Sequence, residues 1–293
     1  MKSHHSSLPV RSSVRKAVAA LLLTFLAVAA GCRHSDGGSP TISVSFPMQK
    51  TLVREIVGQG ISINTLITPG ADPETFDPSM QTLSELNGSR AYFTLGTPGF
   101  EQNLVSKAAG SLKGVEIIDT SKGIRIIDGT HGGHEADPHV GTSLKNAVII
   151  AGNIAESLCR LFPDSARTYR ENAARLQSGL RQLDDSVSQI LKSEKGAAFV
   201  VMHPSLSYFA RDYGLRQIAM ETEGKEATPR QLQQRMQMAR DAGARVMICE
   251  RGHAPAQSRE LARQMGLKLL EVSLNGPEWQ RELLRIAEAI AQD

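Results

Sequence analysis

The strongest constraint on this chain is a pattern that occurs twice, in which short β-branched runs alternate with helical segments on either side of a long stretch without strand signal. In the first half, residues 41–46, 62–67, 91–95 and 115–118 read as buried strands with helix-like segments between them, the signature of a parallel α/β lobe. The second half repeats it, with strands at 197–202, 217–220, 246–249 and 267–272 and helices beginning near Ser207, Pro229, Ala256 and Pro277. In residues 144–193 Leu158, Leu161, Leu176, Leu180, Leu183, Val187 and Leu191 recur at helical spacing instead. Pro163 divides that stretch, since proline does not continue a helix but suits the first turn of a new one. The pattern predicts two parallel-sheet α/β lobes joined by a long interlobe helix running from Pro163. One helix start is explicit: Thr228-Pro229-Arg230-Gln231 sets Thr at the N-cap, Pro at the first helical position and Gln where it reaches back. Glu226 and Thr228 are then structural parts of a turn.

The first 32 residues do a different job. Lys2, Arg11, Arg15 and Lys16 precede an uncharged run over 17–30, the basic and apolar regions of a secretory signal, and the run is too short to span a bilayer. Ala29-Ala30-Gly31-Cys32 follows, in the form of a bacterial lipobox, where the Cys is diacylated before cleavage. The organisation expected is a signal peptide at 1–31, a lipid-anchored flexible tether at 32–40, an N-terminal lobe at 41–143, an interlobe helical region at 144–193 and a C-terminal lobe at 194–293. That puts the protein outside the cytoplasm, held to the membrane through Cys32, on the periplasmic side in a Gram-negative cell. Cleavage nearby to give a soluble secreted protein is the alternative.

Charge bears on partners. Removing the signal takes away four of the 33 Lys and Arg and none of the 30 Asp and Glu, so 29 basic side chains face 30 acidic ones and no basic surface argues for nucleic acid. Cys159 and Cys249 are expected as buried free thiols rather than a disulfide.

Eight histidines occur; His4 and His5 leave with the signal and His34 lies in the tether. His203 follows the apolar strand and precedes Pro204, at a sheet end where α/β folds bind ligands. His139 closes the turn Glu135-Ala136-Asp137-Pro138-His139, where Asp137 is placed to hold its imidazole. His131 and His134 sit in a Gly-rich loop, readable either as solvated or as auxiliary ligands. Glu250 and His253 read as a surface turn.

Three segments in order resemble the zinc- and manganese-type solute-binding proteins of bacterial ABC importers: Gly70-Ala71-Asp72-Pro73-Glu74-Thr75-Phe76-Asp77-Pro78-Ser79, Asp137-Pro138-His139-Val140, and Met202-His203-Pro204-Ser205 running on to Gly214-Leu215. The resemblance implies a monomer that captures a divalent metal in the cleft between its lobes and passes it to a permease served by a separate ATPase subunit. The ligands it implies are Glu74, His139 and His203, with Glu74 standing where such proteins carry His. Their fourth ligand, an Asp late in the second lobe, aligns with Val272. Water, His131, His134 or Glu271 stay open as its replacement. Two imidazoles and one carboxylate suit Zn(2+) while discriminating less against Mn(2+) or Fe(2+). No phosphate-binding G-x-x-x-x-G-K-[ST] loop is present, and no H-E-x-x-H. An anchored zinc hydrolase and a surface adhesin with a vestigial site are the competing readings.

Overall fold

Two parallel four-stranded sheets of the same strand order organise the computed structural model, β2-β1-β3-β4 and β6-β5-β7-β8. The structure describes residues 39–67, 76–108, 112, 114–128, 136–221, 227–252 and 255–292. The signal peptide, Cys32 and nearly all of the tether lie outside the described residues. The first sheet is built from β1 (Thr41–Val44), α1 (Pro47–Val57), β2 (Ser62–Thr65), α2 (Met80–Asn87), β3 (Ala91–Thr94), α3 (Gly99–Ala108) and β4 (Glu116–Asp119). The chain then passes through a 3-10 turn at Val140–Thr142 into α4 (Leu144–Leu161), a second 3-10 turn at Pro163–Ser165 and α5 (Ala166–Ile190). The second sheet comprises β5 (Ala198–Val201), α6 (Ser207–Tyr213), β6 (Arg216–Ala219), α7 (Pro229–Asp241), β7 (Val246–Glu250), α8 (Pro255–Met265) and β8 (Lys268–Val272), closed by α9 (Trp279–Ala291).

The α/β reading therefore holds, with two adjustments of physical origin. Strand β1 stops at Val44 instead of running to 46, because the backbone N–H groups of Ser45 and Phe46 both donate to Oε1 of Gln49, each at 3.1 Å, and Pro47 starts a helix. Strands β2 and β4 are not buried as expected. They are the edges of their sheet, and Ile117 on β4 is 38% exposed.

Pro163 does end the first interlobe helix, but it opens a 3-10 turn, and the long helix begins three residues later at Ala166. Its 25 residues make a rod of about 37 Å. Asn172 donates to Ile56 O of α1 at 2.8 Å, and Asp184 accepts from the Tyr213 hydroxyl of α6 at 2.7 Å. One helix is thus tied to both halves. The N-cap Thr228 and Gln231 form the expected reciprocal pair, with Thr228 N donating to Gln231 Oε1 at 2.9 Å.

A single apolar core runs through both sheets and the helices between them, taking in Ile42 and Val44 of β1, Ile150 and Ile154 of α4, Leu180 and Val187 of α5, Phe199 and Val201 of β5, and Leu283 and Ile286 of α9. Smaller clusters fill the opposite faces of each sheet. Cys249 is a buried thiol as expected; Cys159, also a thiol, is only half-buried, on the face of α4 turned to α5. No helix among the described residues is long and apolar enough to cross a membrane.

Candidate metal centre

Parallel sheets bind ligands beyond the carboxyl ends of their strands, at the point where neighbouring strands connect in opposite directions. In the second sheet that point lies between β5 and β7, and His203 stands two residues past the end of β5. The turn carrying it is fixed from β6, whose Gln217 accepts from Leu206 N at 2.7 Å and donates to Ser207 Oγ at 3.0 Å. At the matching point of the first sheet, between β1 and β3, the crevice is filled by a side chain of its own. Glu101 is buried there, accepting from Leu95 N at 2.8 Å, Gly96 N at 2.7 Å and the Ser45 hydroxyl. Burial pushes its carboxyl up to about 7, against the pull of the Ser45, Leu95 and Gly96 hydrogen bonds, with the Asp119 charge adding to the rise.

His139 approaches from the segment that leaves the first sheet. Asp137 N donates to Ile127 O at 2.9 Å, anchoring the turn, and Asp137 Oδ1 accepts both from His139 N and at Nδ1 of the same ring, each at 2.9 Å. Burial works to raise the Asp137 carboxyl. The hydrogen bonds and charge of His139, with a bond from Ser207, outweigh it and hold the group below the ordinary aspartate range. It is a carboxylate engaged in orienting an imidazole.

The two rings meet at their Nε2 edges. Nε2 of His139 lies 3.0 Å from Nε2 of His203, with ring centroids 4.9 Å apart and planes at 67°. An imidazole that gives its Nδ1–H to a carboxylate presents a bare lone pair at Nε2. At this distance the bare Nε2 of His139 accepts a hydrogen bond when the Nε2 of His203 carries the proton, and once that proton is lost the two nitrogens are placed to share a metal ion.

The surrounding contacts lock the two halves at this point. The Tyr208 hydroxyl donates to Asp137 O at 2.9 Å and accepts from Ile127 N at 3.3 Å, and Thr142 Oγ1 donates to Ser205 O at 2.9 Å. Arg211 covers the Tyr208 ring at 4.9 Å and reaches Arg125 O at 2.7 Å, while Ser143 bonds Asp212.

Of the residues singled out from sequence, His139, His203 and Asp137 come together. Glu271 does not join them: it sits on β8 with Arg259 of α8 at 3.6 Å. Among the described residues no third His, Cys, Asp or Glu completes a metal-holding group. Glu250 is not a simple surface residue either, since it accepts from Leu274 N at 3.1 Å and holds the turn after β8. Glu74, His131, His134, Glu226 and His253 lie outside the described residues. The sequence reading missed Glu221, a buried carboxylate whose Oε2 is 3.9 Å from His203 Nδ1.

The sequence profile of the family described as ZnuA, zinc-uptake complex component A periplasmic, matches residues 42–284. This chain belongs to the ZnuA family. Among relatives, the zinc-binding lipoprotein AdcA of Streptococcus pneumoniae strain R6 is 25% identical over 224 residues, which are 72% of this chain and 44% of AdcA. The chain thus spans less than half the length of that relative. A crystal structure of ZnuA superposes with a TM-score of 0.81 at 30% identity, covering 87% of this chain and 98% of that one. The Mn-bound periplasmic metal-binding protein of Candidatus Liberibacter asiaticus shares the fold, with a TM-score of 0.75 at 19% identity over 86% of this chain and 99% of its own.

Proposed function

We propose that this ZnuA-family chain captures zinc outside the cytoplasm and hands it to the permease of an ABC importer, whose separate ATPase subunit drives uptake. The observation that carries the reading is the facing pair of Nε2 atoms, His139 from the end of the first half and His203 from the second sheet, with His139 already turned by Asp137. Imidazole nitrogens favour zinc over manganese, and AdcA is itself a zinc-binding lipoprotein. Glu74 is the third ligand in this proposal, supported by its place in the Gly-Ala-Asp-Pro-Glu motif. The lobes at 41–143 and 194–293 each supply part of the site, and the protein acts as a monomer anchored through Cys32. The role is holding rather than turnover: Asp137 is committed to the His139 ring and backbone N–H, so it is not placed to take a proton from a metal-bound water.

Competition of the purified protein against a zinc chelator tests this. One zinc per chain is expected, with affinity lost in His139→Ala, His203→Ala and Glu74→Ala. Zinc binding unchanged in both histidine variants would remove the reading, and metal-dependent hydrolysis of esters or peptides would replace it with an enzyme.

A further inference from the structure

The segment that leaves the first sheet is closed by an antiparallel contact in which one backbone bond is replaced. Asp128 and Ala136 form an isolated bridge, and beside it Asp137 N donates to Ile127 O at 2.9 Å. Residues facing each other in a hydrogen-bonded antiparallel pair ordinarily exchange two N–H···O bonds. Here the second runs through a side chain from the other half of the molecule. Ile127 N donates to the Tyr208 hydroxyl at 3.3 Å, and that hydroxyl donates to Asp137 O at 2.9 Å. Tyr208 lies on α6, which begins at Ser207 just after the His203 turn. Its phenol oxygen therefore completes a backbone pair in the segment that carries His139.

The hydroxyl is fully used in this arrangement. A phenol has one proton to give, and it goes to Asp137 O while the oxygen accepts from Ile127 N. The ring is buried, and Arg211 lies over it at 4.9 Å while donating to Arg125 O at 2.7 Å. Burial pushes the phenol up to about 12, against the pull of the Ile127 bond, so the group stays a donor at neutral pH. One residue earlier on α6, Ser207 bonds the Asp137 carboxylate. Gln217 Nε2 donates to Ser207 Oγ at 3.0 Å, which leaves the Ser207 proton for that carboxylate. Asp137 is thus held from α6 at both its carbonyl and its side chain.

We propose that Tyr208 is a positioning residue for His139: its hydroxyl fixes the backbone of Asp137 to α6, and with it the place of the His139 ring relative to His203. The proposal rests on the metal-capture reading and supplies the means by which one half sets the donor of the other. The two histidines are 64 residues apart in sequence, and a shared ion requires ligand distances correct to about 0.2 Å. Asp137 Oδ1 holds His139 at both N and Nδ1, so a shift of the Asp137 backbone carries the ring with it. Without the hydroxyl, Ile127 N and Asp137 O lose the oxygen that spanned them. Unpaired backbone groups are costly in a buried setting, and the turn then relaxes until they are satisfied again.

Tyr208→Phe tests this, because it removes one oxygen and keeps the ring, its packing and its place under Arg211. The full purified chain is measured for its zinc dissociation constant by chelator competition, its metal-free melting temperature, and its visible d–d bands with cobalt as probe. Tyr208→Phe is expected to weaken zinc binding by about 10-fold, the lower end of the range for groups that act through a ligand. Its cobalt bands are expected to shift, because the His139 donor is turned. Leu180→Ala, which lowers stability from the core side of α5, is the control and is expected to keep wild-type bands. A lowered melting temperature in Tyr208→Phe with wild-type affinity and unshifted bands would overturn the positioning role. Bands displaced equally in Leu180→Ala would overturn it too, by assigning the effect to lost stability. His139→Ala measured in parallel separates the two levels of the argument. If it binds zinc like the wild type, the metal-capture reading fails; if it loses zinc while Tyr208→Phe matches the wild type, only the role of Tyr208 fails.

Discussion

A histidine offers a metal its lone pair in a fixed direction only when the other ring nitrogen is engaged, and Asp137 does this for His139. Asp137→Ala is accordingly expected to cost about 10–100-fold in zinc affinity, and His139→Ala at least as much, both read by chelator competition. Glu101 carries a separate prediction. In the folded chain it keeps its proton up to about pH 7, whereas its ordinary value is 4.5. The folded state therefore binds the extra proton between those limits, and stability falls as pH rises across them, by ~3 kcal/mol in all. Melting curves of metal-free protein from pH 4.5 to 8 should show Glu101→Gln gaining on the wild type as pH rises; parallel curves would contradict the assignment. His139 and His203 were legible because each sits in a short motif beside a turn or strand end. Glu221 was not, because His203 lies 18 residues back and only the strand register brings the two near each other. Its motif context is a strand end followed by acidic residues, which reads as a solvated turn. Glu271 was misleading for the opposite reason: one residue from the expected ligand position, it lies across the pleat from buried Val272.

At the level of elements, the order of strands and helices followed from periodicity, and the errors fall at ends and edges. Gln49 shows why. Its buried side chain takes the N–H groups that would have extended β1 and donates to Phe93 O at 3.1 Å, a contact 44 residues away that no local pattern announces. The start of α7 was readable because its capping box is local. Thr228→Ala should cost about 1 kcal/mol, measured by denaturant unfolding. The long helix α5 is a stronger test, since Leu180 is 2% exposed in the shared core. Leu180→Ala is expected to destabilise by about 2–5 kcal/mol. Because α5 is bonded to both halves, the loss should appear in one cooperative transition; two separated transitions would mean that the halves fold independently.

Across the whole molecule, the repeated α/β pattern conveyed the two sheets but not their fusion. The continuous core, together with the Tyr208, Thr142 and Arg211 contacts, makes the site a junction within one packed body. Zinc at 100 times its dissociation constant should add about 2.7 kcal/mol by linkage and raise the melting temperature by roughly 5–10 °C. His139→Ala with His203→Ala in one chain should abolish that rise. Binding should also weaken on acidification, as protons compete for the two Nε2 atoms. The most direct test of the whole account is anomalous diffraction at the zinc edge from crystals of the zinc-loaded protein. One peak is expected about 2.0–2.1 Å from Nε2 of both His139 and His203; a peak bonded to only one of these rings, or lying elsewhere in the molecule, would contradict shared ligation by the pair.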